Sequence, residues 1–446
     1  MHITDSILAR AVSYFVYFTI LFRRVYSKGF LFRLPSCFED VPGQVRVFHS
    51  YLKGSFQVRF RNTKHNTQLS TTSLLTRTGI PTLNTSTATM ATPKTMKAWR
   101  LAAFNADVPA AIDSLTLETA LPVPGPVGAD EVLVKIAYAA INPIDWKIFT
   151  GGYQEIAPVI FPFIPGFDIA GEIVQVGANA ATSFKVGDTI LSNTGLLESC
   201  KTPPPTGGPG GALAEYALVP ATLCVKTSVK DLSTIVGLSL AGQTSYQALF
   251  SGSVPNKSVT GIPLGDTKEG SKVLILGAAG GTGSLAIQLA KSRKAFVACT
   301  ASSAPMPNND KQTKMDFVKS LGADLVIDYK TDDWSKVLAG KDYDLIYDCV
   351  GTPEYLTDMA PKVLKKGGKF VSIANFDVAT GSKVEGLEFC PFMVNSNSAD
   401  LQDMTTMVEK GELFVEIDTV YSLEQAKEAL LQSFKGRSVG KIVIKV

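Results

Sequence analysis

Histidine is almost missing from this chain: three of 446 residues are His, at positions 2, 49 and 65. Beyond His65 there is no imidazole for a Ser-His-Asp hydrolase, a His-ligated zinc or a histidine proton relay. Cysteine is scarce too. The six are Cys37, Cys200, Cys224, Cys299, Cys349 and Cys390, and no two stand in C-x-x-C spacing. That removes a zinc ribbon, and scattered thiols make no disulfide framework, which points to a reducing compartment. Cys299 and Cys349 end or interrupt apolar strand-like runs; they are expected to be buried and structural, with a reactive thiol as the alternative. The uncharged run AVSYFVYFTILF, residues 11–22, has twelve residues, short of the ~20 a spanning helix needs. No stable membrane span is expected.

Acids are absent from Pro42 to Thr95. Residues 1–95 hold twelve Lys plus Arg against Asp5, Glu39 and Asp40, and the remaining 31 bases face 37 acids. A mildly acidic body argues against nucleic acid as a partner. The first 95 residues join an apolar run to a basic stretch rich in Ser and Thr, which is the composition of an organelle address, plastid or mitochondrial. The alternative is that translation starts at Met90 or Met96 and the protein is cytoplasmic.

From Met96 onward two patterns succeed one another. MKAWRLAAF, DEVLVKIAYAAINPID and PGFDIAGEIVQVGANAATSFKVGDTILS are short β-branched and aromatic runs broken by Gly and Gly-Asp turns, an all-β domain of barrel or sandwich type. After GGALAEYALVP, apolar strands alternate with amphipathic helices, from KVLILG to KFVSIA, which predicts a parallel sheet covered on both faces. A helix at DLQDMTTMVEKG, another at SLEQAKEALLQSF and a strand at GKIVIKV close the chain. CKTPPPTGGPGG and SGSVPNKSVTGIPLGDTKEG are expected to be surface loops or insertions.

The stretch VLILGAAGGTG, residues 273–283, joins an apolar strand to a helix through Gly277, Gly280 and Gly283. Bare backbone there lets amide groups approach a pyrophosphate with the positive end of the helix dipole behind them. The spacing is G-x-x-G-x-x-G, a variant of the dinucleotide fingerprint G-x-G-x-x-G; a tight turn without a ligand is the alternative. An acid that would hold a ribose 2′-hydroxyl belongs about 20 residues on. This chain has ASSAPMPNND there, with no acid before Asp310. Neutral hydroxyls leave room for a 2′-phosphate, so NADPH is favoured over NADH. Lys314 follows as a phosphate partner or as a solvated lysine in the first turn of a helix.

These segments carry a resemblance. The chain from Met96 to Val446 is similar to zinc-free members of the medium-chain dehydrogenase/reductase superfamily, near the quinone oxidoreductases and plant-type alkenal (enone) reductases. The matching runs are MKAW, AAINPIDWKIFTG, IPGFDIAGEIVQVG, FKVGD, LAEYALVP, LSLAGQTSYQAL, GAAGGTGSLAIQLAK, SLGADLVIDY, YDCVG and GKIVI. The resemblance implies an α/β protein with a GroES-like β-barrel catalytic domain over 96–222, completed by 377–446, and a Rossmann domain over 223–376. Zinc-dependent relatives place a Cys ligand near Asn142 and a Gly-His-Glu stretch near Gly166-Phe167-Asp168, so no metal is expected. The resemblance puts Gly277, Gly280, Gly281, Thr282 and Gly283 at the pyrophosphate and Thr244 near the nicotinamide. It puts Ser302 or Ser303, Lys314 and Tyr329 around the 2′-phosphate, with Val350, Gly351 and Phe392 bordering the nicotinamide pocket. The segment Ala304–Gln312 is longer than the pattern. A homodimer formed through the Rossmann domains is implied.

Without a metal to polarise an alcohol, hydride transfer to an acceptor that is already electrophilic is the expected chemistry. The acceptor would be a small α,β-unsaturated carbonyl or a quinone, and its developing anion needs hydrogen-bond donors. Tyr153 is the first candidate, with a loop aromatic covering the cleft as its alternative; Asn142 and Lys147 follow. Asp145 and Trp146 are expected to pack or to order the loop. Two other functions stay open: a trans-acting enoyl reductase for acyl or polyketide chains, and an NADPH-binding regulatory protein without turnover.

Overall fold

The computed structural model describes residues 92–153, 159–195, 211–252, 257–377 and 384–446. Residues 1–91 of the expected address at 1–95, and residues 200–210 of the Pro/Gly-rich run at 200–211, lie outside them.

The first described lobe is built from β-strands. β1 (Thr95–Arg100) and β2 (Thr116–Pro122) pair antiparallel. The short helix α1 (Val108–Ser114) stands between them, started by Asp107, whose side chain accepts from the Ala110 N–H. There follow β3 (Glu131–Ile141), α2 (Pro143–Lys147), β4 (Asp168–Val176), β5 (Thr189–Asn193), β6 (Tyr216–Pro220) and β7 (Cys224–Lys226). Helix α3 (Leu238–Phe250) then leads into the second lobe, and it is buried on nearly every side. Gln243 is therefore satisfied internally: its Nε2 donates to Ser239 O at 2.7 Å, and its Oε1 accepts from Asn397 N at 2.8 Å.

The second lobe runs β8 (Lys272–Leu276), α4 (Gly281–Ser292), β9 (Phe296–Ala301), a hairpin of β10 (Pro305–Met306) and β11 (Asn309–Thr313), α5 (Lys314–Ser320) and β12 (Leu325–Asp328). It continues through α6 (Trp334–Val337), β13 (Tyr343–Asp348), β14 (Leu364–Ser372) and β15 (Leu387–Pro391). Six of these strands form one parallel sheet in the order β12-β9-β8-β13-β14-β15. Both faces are covered, which is why β8 has Val273, Leu274, Ile275 and Leu276 all buried rather than alternating. The stretch YLTDMAPKVLK, whose pattern suggests a helix, forms one π turn and one 3₁₀ turn instead, with Pro361 denying the next turn its N–H.

The sheet also runs past residue 376, where the resemblance implies that the Rossmann domain ends. β15 adds a sixth strand at 387–391; five residues behind a polar stretch carry too little periodicity to be recognised. Part of the expected loop at 251–270 lies along this edge. The Val259 N–H donates to Pro391 O at 2.7 Å and Thr260 Oγ1 to Phe389 O at 3.0 Å, so a partner adding to that edge has to displace the loop.

The chain then returns to the first lobe through α7 (Ser398–Glu409), β16 (Ile417–Ser422), α8 (Ala426–Phe434) and β17 (Lys441–Lys445). β17 lies antiparallel to β3, with Ile442 opposite Ile141 and Lys445 opposite Tyr138, and it continues the path β16-β17-β3-β4-β5-β7. Ala426, Ala429 and Leu430, one face of α8, pack into the same core as Ile442 and Ile444. The last strand is thus an internal member of the first lobe. Among the described residues no helix is long and apolar enough to cross a membrane.

Candidate functional site

In the order 3-2-1-4-5-6, a doubly wound sheet reverses direction between its first and fourth strands and opens a crevice at their C-terminal ends. Here those strands are β8 and β13. Gly277 follows β8 with φ of +79°, a left-handed turn that suits glycine; its N–H donates to Thr300 Oγ1 at 3.1 Å. Gly283 is required for another reason: a Cβ there would lie 2.5 Å from Gly277 O and 2.6 Å from Ala278 Cα. Gly280 is the extended N-cap of α4, which has no side-chain cap. The first N–H groups of α4, on Gly281, Thr282 and Gly283, therefore lack helical partners and present positive ends to the crevice. This cradle fits a pyrophosphate.

The far wall of the crevice follows β13. Asp348 Oδ1 accepts from the N–H groups of Val350 and Gly351, both at 3.0 Å, and its other oxygen accepts from Ser372 Oγ at 2.7 Å. Burial pushes the Asp348 carboxyl above its ordinary value, and these three donors hold it down. Val350 is left half-exposed at the mouth. Thr244 lies on α3, its hydroxyl donating to Leu240 O at 2.8 Å, and next to it Ser245 Oγ reaches Thr282 O at 2.8 Å. The fold thus gathers the glycine turn, Thr244, Val350 and Gly351 around one crevice. Phe392 sits beneath it in the core, its N–H bonded to Ser372 O. Cys299 is buried and Cys349 only partly so, and burial pushes both thiols up to about 12.

At the end of β9, Ser302 is buried and the Ser303 N–H donates to Asp328 Oδ2 at 3.1 Å. The segment Ala304–Gln312 forms the β10–β11 hairpin, whose Asn308 side chain donates to the main-chain carbonyl of Asp418. Lys314 opens α5; its ammonium donates to Arg437 O at 2.9 Å, and burial lowers its pKa. Tyr329 is exposed beside Lys330. Sequence reasoning passed over Asp328, the acid at this end. Burial raises its pKa, but hydrogen bonds from the Lys330 and Ser303 N–H groups and from the Ser303 hydroxyl outweigh that and leave the carboxyl below its ordinary value.

In the first lobe, Asn142, Asp145, Asp168 and Lys441 form a buried network. The Asn142 N–H donates to Asp145 Oδ2 at 2.7 Å, and Asn142 Nδ2 donates to Asp168 Oδ2 at 2.8 Å. The Lys441 ammonium donates to Ile141 O at 2.9 Å and to Asn142 Oδ1, and lies 3.5 Å from Asp168 Oδ2. Burial is the largest influence on all three charged groups. It pushes Asp145 up to about 8 and Asp168 up to about 6, the latter restrained by Lys441, and it lowers Lys441. Burial thus pushes both carboxyls and the lysine toward their neutral forms, and the contact between Lys441 and Asp168 opposes it. One oxygen of each carboxyl group, Asp145 Oδ1 and Asp168 Oδ1, is buried without a hydrogen bond.

Of the three expected proton or hydrogen-bond donors, Asn142 is committed to this network. Lys147 ends α2 and its ammonium is partly buried, which lowers its pKa; Tyr153, further along the same segment, is half-buried, which raises its hydroxyl. Sequence reasoning missed Lys441, Arg437 and Ser438. The only sign of them was the GRSVGK run. Its contact with the crevice shows in tertiary structure alone: Gly440 N–H donates to Ala279 O at 2.9 Å, and Ser438 Oγ is buried without a partner.

A glycine cradle at the switch point of a parallel sheet, walled by a segment returning from a β-barrel lobe, defines a two-domain oxidoreductase that uses a nicotinamide dinucleotide. Residues 128–229 match the family described as alcohol dehydrogenase GroES-like domain, and residues 321–444 that described as zinc-binding dehydrogenase. The chain is 32% identical over 334 residues to a chloroplast envelope quinone oxidoreductase homolog of Arabidopsis thaliana, covering 73% of this chain and 92% of the relative. It is 32% identical over 365 residues to the NADPH-dependent alkenal/one oxidoreductase, chloroplastic, of the same plant, covering 80% and 81%. The quinone oxidoreductase structure from Coxiella burnetii superposes with a TM-score of 0.63 at 25% identity, covering 79% of this chain and all of that one. The protein belongs to the medium-chain dehydrogenase/reductase superfamily, in its quinone oxidoreductase and alkenal reductase group.

Two outcomes follow from this geometry. Gly283→Ala forces the turn apart and is expected to weaken binding of the nicotinamide dinucleotide at least tenfold, titrated by fluorescence with NADPH and with NADH; an unchanged Kd for both would show that the cradle is not the phosphate site. For Asp145, the folded state keeps a proton that the unfolded chain has released, so stability falls as pH rises toward 8, by at most about 1.4 kcal/mol per pH unit for one proton. Asp145→Asn keeps the acceptor for Asn142 N–H and has no proton to lose, beside Asp168 and Lys441 as before. Urea denaturation between pH 6 and 8 is expected to give a flatter slope for Asp145→Asn than for the wild type, and equal slopes would refute the burial argument.

Proposed function

We propose that the protein is an NADPH-dependent, zinc-independent reductase that passes hydride to the β-carbon of a small α,β-unsaturated carbonyl, or to a quinone. The observation that carries the reading is the buried network beside the dinucleotide crevice. Asn142 and Asp168 spend their oxygens and amide on a lysine ammonium, and Phe167, next in the chain to Asp168, is apolar and buried. With the last histidine at position 65, this donor set suits an internal cation and does not suit zinc. The acceptor must then be electrophilic by itself. NADPH is supported by the buried hydroxyl of Ser302 at the end of β9, where an NAD site carries an acid, and by Lys314 and Arg437 nearby.

The dinucleotide supplies the hydride when bound. Gly280–Gly283 would hold its phosphates, Thr244, Val350 and Gly351 would border its ring, and the chain's further part would be to stabilise the oxygen that gains charge. As the β-carbon takes the hydride, the π pair shifts to the carbonyl oxygen, and the enolate then takes a proton from solvent water at its α-carbon. Burial keeps the Tyr153 hydroxyl protonated, so it can donate a hydrogen bond to that oxygen, with the Lys147 ammonium as a second donor.

The test is NADPH oxidation by residues 96–446 with a short 2-alkenal, a long-chain enone, an enoyl thioester and a quinone, repeated with NADH and with a chelator. Acceptor-dependent oxidation that prefers NADPH and ignores the chelator is the expected result, with kcat reduced roughly 10²-fold in Tyr153→Phe. Binding of NADPH with no acceptor reduced would move the regulatory reading ahead, and turnover of the thioester alone would favour the acyl-chain reading.

We infer further that the protein works in a plastid, supported by its basic, acid-free N-terminal stretch and by the chloroplastic relatives. Residues 1–95 fused to a fluorescent protein are expected to mark plastids in plant cells; a diffuse cytoplasmic signal would overturn this.

A further inference from the structure

Lys441 is 4% exposed and lies where the two lobes meet. Its ammonium belongs to the first lobe, fixed by Ile141 O, Asn142 Oδ1 and Asp168. Its stem belongs to the second. A Cβ on Gly237, the N-cap of α3, would lie 2.7 Å from Lys441 Cγ, and a Cβ on Gly281, the first residue of α4, would lie 2.8 Å from Lys441 Cδ. The lysine methylenes therefore run through a slot between two bare backbone positions, each at the start of a helix that borders the crevice. The preceding residue adds to the seam: Gly440 pairs with Gly280 in an isolated parallel bridge, and Asp418 Oδ2 accepts the Val439 N–H at 2.7 Å.

The geometry points to Lys441 as a positioning residue for hydride transfer. One side chain sets the distance between the phosphate cradle at Gly281 and the end of β3 at Asn142, beside which α2 and the Lys147–Tyr153 segment stand. Hydride transfer needs the reacting atoms within about 3.5 Å and aligned. A phosphate end seated on α4 and an acceptor seated on the first lobe meet that demand only when the seam between the lobes is held. A charged group suits the task because its anchor is directional: three oxygens converge on one nitrogen. The methylene stem suits it because it fills the slot without a polar group to satisfy. Arginine would keep the charge, but its wide planar head does not match a slot cut for an ammonium.

This inference rests on the reading of the protein as an NADPH-dependent reductase. Lys441→Met alone leaves the Asp168 carboxylate buried without its cation and is liable to misfold, so the test uses Lys441→Met combined with Asp168→Asn, and separately Gly237→Ala, whose methyl displaces the stem and leaves both charges. Two quantities are read on the full chain: the emission maximum and intensity of bound NADPH, which report how the ring is seated without turnover, and the single-turnover rate with NADPH and 4-deuterated NADPH. Both variants are expected to bind NADPH within about threefold of the wild-type Kd, to lose the emission change of the seated ring, and to transfer hydride at least tenfold more slowly with a larger isotope effect. A folded variant with wild-type emission, rate and isotope effect would overturn the inference while leaving the reductase reading intact. Wild-type protein that binds NADPH but reduces no acceptor would strike the reductase reading instead, and the emission of the variants would still decide whether Lys441 seats the ring.

Discussion

The register of one strand pair organises the rest of this molecule. Because β17 runs antiparallel to β3 with Ile442 opposite Ile141, Lys441 is brought to the end of β3, where Asn142 starts α2. β4 pairs on the other edge of β3 with Asp168 opposite Ala140, so a carboxylate arrives at the same place. A one-residue slip would turn the Lys441 side chain to the opposite face of the sheet and leave Asp168 buried without a cation, which is costly enough to select a single register. The last strand, 300 residues from its partner Ile141, is thereby held by packing and by charge together.

That register also joins the two lobes. Gly440 must meet Ala279 and Gly280 if Lys441 is to reach Asn142, so the β-barrel lobe and the glycine turn are tied through two consecutive residues. The β10–β11 hairpin adds a second tie at the other end of the crevice, through Asn308 and Asp418 and through Lys314 and the Arg437 carbonyl. Asp418 serves both ties, since its carboxylate accepts the Val439 N–H. The dinucleotide crevice is bounded by residues of both lobes, which suits a reaction whose donor and acceptor are bound by different domains.

The chemistry follows from how the buried charges balance. Burial pushes the Asp145 carboxyl up, Lys441 restrains Asp168, and Asn142 bridges them, so the amide and the ammonium are spent inside the network. In the proposed reaction, activation falls to groups on the Lys147–Tyr153 segment and to the reactivity of the acceptor. The quinone and alkenal oxidoreductases to which the chain is similar have names that fit acceptors of this kind.

The sequence alone was enough for the fold class and for the strand–glycine–helix turn at 273–283, because each rests on local signals: alternation of apolar residues and turn glycines; Val350 and Gly351 were named only through the family resemblance. Short or irregular pieces escaped it. β15 has five residues, the β10–β11 hairpin looks like a polar loop, and the turn at 355–362 carries a helix-like pattern that Pro361 breaks. The centre of the site escaped for a different reason. Asn142, Asp168 and Lys441 lie far apart in the chain, and nothing in the residues around any of them announces a buried ion pair. Only the pairing of β17 with β3, and of β3 with β4, brings them together, since strand register is decided by the packing of whole faces and not by neighbours along the chain.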